Sequence, residues 1–94
     1  MAYGRESAEV LALNALGWLA GDPDEIGAFL AASGLPTGDL AALARDAGFL
    51  AAVLDFCLES DARVLACAAA LDLPPTALAE ARMALPGGAD PHWT

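Results

Sequence analysis

The chain has 94 residues, enough for one hydrophobic core but not for two independent ones. Thirteen acidic residues face four Arg and no Lys, and the net charge of −9 argues against nucleic-acid contact and against docking on an anionic membrane. Hydrophobic residues make up 57% of the chain; 24 of them are Ala, which leaves 30 larger apolar side chains, an ordinary supply for one small core and too many for general disorder.

Ala and Leu total forty residues while Val, Ile and Thr total seven, so helix is favoured over strand throughout. The spacing predicts a first helix from about Ser7 to Ala20, with Ala8, Leu11, Ala12, Ala15, Leu16 and Leu19 on one stripe and Gly21 as its stop. Asp22-Pro23-Asp24-Glu25 then spells a helix start, with Asp22 as cap, Pro23 in the first turn and carboxylates at the positive end of the dipole. This second helix carries Ile26, Phe29 and Leu30 and stops at Ser33-Gly34-Leu35, where Gly34 supplies a left-handed residue. Thr37 caps a short third helix through Leu40, Leu43 and Ala44. Asp46 caps a fourth, about Ala47 to Glu59, whose only charges are Asp55 and Glu59. A helix so apolar belongs in the centre of the fold. Ser60 caps a fifth, unbroken in apolar character from Val64 to Leu71, and Pro74-Pro75 opens a sixth with Leu78, Ala81, Met83 and Leu85. Residues 86–94 have Pro, Gly and Asp but no period, and are expected to form a flexible C-terminal tail.

The fold class expected is all-α, six short helices in one compact orthogonal bundle spanning residues 1–85. Sliding the chain by 38 residues brings Leu16 onto Leu54, Trp18 onto Phe56, Asp22 onto Ser60, Ile26 onto Val64, Leu35-Pro36 onto Leu73-Pro74 and Leu40 onto Leu78. That register predicts two duplicated three-helix units, roughly 8–46 and 46–84, each too small to bury its apolar face alone.

The segments Trp18-Leu19-Ala20-Gly21-Asp22-Pro23, Phe29 to Leu35, Phe49 to Phe56 and Leu73-Pro74-Pro75, in that order and spacing, give the chain a resemblance. From about Ala8 to Gly88 it resembles the bacterial domain-of-unknown-function family 3572. The resemblance implies a short, cytoplasmic, helical bacterial protein. It brings no established activity, substrate or catalytic residue, and the genes found near those of the family hint at bacterial signalling.

Chemistry is sparse in the residues themselves. No stretch approaches the roughly 20 apolar residues that cross a bilayer. The uncharged run from Val10 to Gly21 follows Arg5, Glu6 and Glu9, net acidic where a secretory signal needs positive charge, so a cytoplasmic location is expected. Cys57 and Cys67 lie ten apart, a spacing that fits no metal knuckle or redox pair, and both read as small buried hydrophobes. His92, the one histidine, is third from the end in the expected tail, and Ser7, Ser33 and Ser60 sit at caps or helix ends with no base to activate them. Asp55 and Glu59, one turn apart with Asp61 nearby, could hold a hard cation only with further oxygen ligands; a simpler reading pairs Glu59 with Arg63 and leaves Asp55 as a wet position. No cofactor and no enzymatic activity are expected.

What remains is an interaction or adaptor module, with a protein partner or self-association as the expectation. The residues singled out for the contact are Trp18, Phe49, Val53 and Phe56, with Trp93 of the tail as a possible anchor. The alternatives are a small-molecule or lipid binder with an apolar pocket between helices, and an acidic mimic of nucleic acid. The mimic ranks lowest because the acids cluster at helix caps.

Overall fold

A computed structural model describes residues 3–33 and 44–85 of the chain. Five helices are present among them: α1 (Arg5–Ala20), α2 (Pro23–Ser33), α3 (Ala47–Leu58), α4 (Asp61–Ala70) and α5 (Ala77–Met83). The architecture is all-α. The six helices expected become five in this count, because the short third helix expected from Thr37 falls on residues 34–43, outside the described residues. The tail expected over 86–94 lies outside them as well.

The local chemistry sets the helix ends. Asp22 Oδ1 accepts from the backbone N–H groups of Asp24 (3.0 Å) and Glu25 (3.3 Å), and Pro23 opens α2 where its missing N–H costs nothing. Asp46 Oδ1 does the same for Gly48 (2.7 Å) and Phe49 (3.4 Å) at the start of α3. Ser60 Oγ accepts from the N–H of Arg63 at 3.2 Å and starts α4. Two expectations shift. α1 begins at Arg5, ahead of Ser7, behind a Gly4 cap that offers no side-chain acceptor. Arg5 and Glu9 pair across this first turn at 3.3 Å. α5 begins at Ala77, after a turn in which the Ala77 N–H donates to the Pro74 carbonyl at 3.0 Å.

α1 and α3 form the centre, since each touches all four other helices. All six stripe residues of α1, from Ala8 to Leu19, are buried. α3 buries Phe49, Leu50, Ala51, Val53, Leu54, Phe56 and Cys57, which takes up nearly its whole circumference. α4, apolar without interruption from Val64 to its end, buries little of that run. Only Cys67 and Ala68 are buried, and Leu65, Ala66, Ala69 and Ala70 face outward. Alanine gives an apolar run little area to bury, so such a run can stay at the surface at small cost.

α4 ends in a Schellman turn. The Leu73 N–H donates to the Ala68 carbonyl at 2.8 Å and the Asp72 N–H to that of Ala69 at 3.2 Å, with Leu71 between helix and turn. The turn needs a left-handed residue, and Asp72 supplies it at φ 59°. An Asp bears this conformation with some strain that Gly would not. Asp72→Gly should therefore stabilise the fold by about 0.5–1 kcal/mol, and Asp72→Val should destabilise it by about 1–2 kcal/mol. Urea titrations of the two variants test this through opposite shifts of the midpoint.

Candidate functional site

The residues expected to meet a partner divide sharply. Phe49, Val53 and Phe56 are 4%, 0% and 7% exposed and belong to the core, which corrects their assignment to a surface. The cause is the central place of α3: a helix without a polar face is covered on every side, so its apolar residues are spent inside the chain. Phe29 of α2 sits edge-on between two of them, with ring centroids 5.6 Å from Phe49 and 5.4 Å from Phe56. Trp18 is half-buried and packs on the rim of the core. Trp93 and His92 lie outside the described residues.

The carboxylates are also placed differently from the simple pairing. Arg63 reaches across to Glu25, its Nε 3.0 Å from Oε2 and its Nη2 3.3 Å from Oε1, and does not pair with Glu59. Its Nη1 donates to the Phe56 carbonyl at 3.1 Å while the guanidinium lies 4.0 Å over the Phe56 ring. Hydrogen bonding to Glu25 raises the Arg63 pKa further, with burial opposing. One side chain of α4 thus ties α2 to the end of α3. Asp55 is not a bare wet position, because Arg82 of α5 grips it with two bonds of 2.7 and 3.2 Å. Among the described residues no three His, Cys, Asp or Glu side chains stand close enough to hold a metal ion.

Clefts open between the described helices. One, of about 170 Å³, lies between α2 and α3 and is lined by Phe29, Ala32, Ala52, Asp55, Phe56 and Glu59. Another, of about 220 Å³, runs along α1 and the turn after α4, lined by Tyr3, Ser7, Val10, Leu11, Asn14, Leu71 and Leu73. Ser7, read as a helix cap, is a wall of this second groove inside α1.

Val10 is 56% exposed and Leu13 is 41% exposed, and they are neighbours at i and i+3 on the side of α1 that faces away from the core. They were not among the residues expected to form a contact. Their signal was present in the sequence: both fall outside the stripe from Ala8 to Leu19, so a helix with that core face must present them to solvent.

The profile of a family of proteins of unknown function, DUF3572, matches residues 5–88. The chain belongs to this family. Neither the curated proteins nor the solved structures gave a match. The match takes in every described helix, so α1, its groove and the core are all part of the family's domain. No described helix is long and apolar enough to cross a membrane.

The cysteines lie together inside this domain. Cys57 and Cys67 are both free and buried, on the adjoining helices α3 and α4. The hydrogen bond to Cys67, then burial, push the Cys57 thiol well above the ordinary thiol value of 9.0. The same bond lowers the Cys67 thiol, so in the folded chain Cys67 ionises first and Cys57 stays protonated, whereas an unfolded chain ionises Cys57 near its ordinary value. This contribution to stability is therefore complete below about pH 9 and declines as pH rises above it, by up to about 1.4 kcal/mol per unit. Cys57→Ala should flatten the loss of stability between pH 9 and pH 10.5, as read by denaturant titration at each pH. An unchanged slope would mean that Cys57 ionises freely in the folded state.

Proposed function

We propose that this protein is an interaction module that docks another protein on the outer face of α1, and that it works by binding and not by catalysis. The observation that carries the reading is that α1 exposes two large apolar side chains on the side opposite its core stripe. One side enters the core through Ala8, Leu11, Ala12, Ala15, Leu16 and Leu19. The other presents Val10 and Leu13 and runs into the groove floored by Leu11, Leu71 and Leu73. Contiguous apolar surface beside a groove is what helix-in-groove recognition uses. Two of the four exposed large hydrophobics of the described residues stand here; the others, Leu65 and Met83, lie on different helices.

A ligand or lipid binder is less well supported. Among the described residues, the clefts of about 170 and 220 Å³ fall below the roughly 300–1,000 Å³ of small-molecule pockets. An acidic mimic is weaker still, since Asp22 and Asp46 cap helices and Glu9, Glu25 and Asp55 face arginines.

We further propose that the two halves descend from one unit repeated at 38 residues. In support, α1 ends at Ala20 and α3 at Leu58, α2 begins at Pro23 and α4 at Asp61, and each pair is 38 apart. α1 also packs on α2 as α3 packs on α4. The left-handed Asp72 corresponds to Gly34 in the first half. A crystal structure in which residues 8–33 could not be superposed on 46–71 would dispose of this descent.

The docking reading is tested with Val10→Glu combined with Leu13→Glu, exposed substitutions in a helix that tolerates Glu and should change stability by no more than about 0.5 kcal/mol. A stoichiometric companion recovered with the wild-type chain from native extracts should be lost with the double variant, its affinity lowered at least about tenfold. Leu65→Glu should leave it in place. Equal recovery by the double variant, or a wild-type chain that emerges without any companion, would overturn the reading.

A further inference from the structure

The groove on α1 carries information about what fills it. Three of the four arginines pair with the chain's own carboxylates: Arg5 with Glu9, Arg63 with Glu25 and Arg82 with Asp55. The acids beside the groove are not so used. Glu6 stands one turn before Val10 on the outer face of α1, and Asp72 stands between the groove residues Leu71 and Leu73. Both are exposed, and among the described residues neither forms a salt bridge. The groove thus combines Val10, Leu11, Leu71 and Leu73 with the polar Tyr3, Ser7 and Asn14, and an acidic residue adjoins its lining on α1 and on the turn, on a chain of net charge −9.

Resting on the docking reading above, we propose that the occupant is a basic amphipathic helix from a different protein. Its apolar side chains, spaced three and four apart, lie against Val10, Leu13, Leu71 and Leu73, and its flanking Lys or Arg meet Glu6 and Asp72. Charge decides against a second copy of this chain. Two copies docked through this face would set −9 against −9 and bring their Glu6 and Asp72 carboxylates together in the contact. A basic partner gains from the same field, in encounter rate and in the contact itself.

The test uses the full chain and three designed 18-residue peptides with one Leu pattern at helical spacing, whose polar positions are all Lys, all Gln or all Glu. Binding is read by fluorescence anisotropy and located by backbone amide shifts. The Lys peptide should bind at least about tenfold more tightly than the Gln peptide, and the Glu peptide more weakly than either. Its shifts should centre on Val10, Leu13 and Leu71 to Leu73. Glu6→Gln with Asp72→Asn, which keeps a residue tolerant of the left-handed turn, should weaken the Lys peptide about fivefold or more and leave the Gln peptide unchanged. If the Gln peptide binds the same face as tightly as the Lys peptide, the basic partner is wrong and the docking face stands. If the Lys peptide shifts a different surface, or binds the Val10→Glu variant equally well, both fall. A native mass that doubles with concentration and reverts with Val10→Glu would replace the basic partner by self-association.

Discussion

Everything in this fold follows from the fact that α3 has no polar face. Between Ala47 and Leu58 the one charged residue is Asp55, so a stable arrangement must cover the helix on nearly every side. α1, α2, α4 and α5 do so together, and none of them could do it alone. Fully burying side chains such as Val53, Leu54 and Phe56 stabilises the fold by about 1.5–3 kcal/mol each. That return is available only when all four neighbours are in place, so the small domain should behave as one cooperative unit.

At the end of α3 the Phe56 carbonyl accepts the Glu59 N–H at 3.3 Å, and Arg63 adds a second bond to it. Its guanidinium caps the Phe56 carbonyl, lies over the Phe56 ring and holds Glu25 from the opposite helix. The pair is partly screened by water, with side chains 18% and 28% exposed, so its direct contribution is modest. Its larger effect is on geometry, because it fixes α2 and α4 to the same end of α3. Asp55 and Arg82 make a similar link between α3 and α5 nearer the surface.

Much of this was legible in the sequence because it is local. Asp22, Asp46 and Ser60 announce their helices through hydrogen bonds that close within three residues, and all three caps are found in place. The stripe of α1 was equally plain, since periodicity alone decides which face is buried. The losses came where a residue has several possible neighbours. A helical wheel shows that Phe49, Val53 and Phe56 are apolar, but not that Phe29 and Arg63 already occupy the space around the rings. The proximity of Glu59 to Arg63 in the chain likewise suggested a pair that tertiary packing replaced with Glu25. Val10 and Leu13 were hidden for the opposite reason: an exposed Val or Leu is ordinary until the core face of its own helix is known.

Glu25 and Arg63 are 38 residues apart, the interval of the proposed repeat. Under the descent proposed above they are the same position counted twice, meeting its own counterpart where the units join. Two separate identical units could offer only Glu to Glu or Arg to Arg there, a like-charge contact. Joining the units in one chain removes the requirement that they stay identical. Under that descent, opposite charges at this contact are what two units joined in one chain can acquire and two separate identical units cannot.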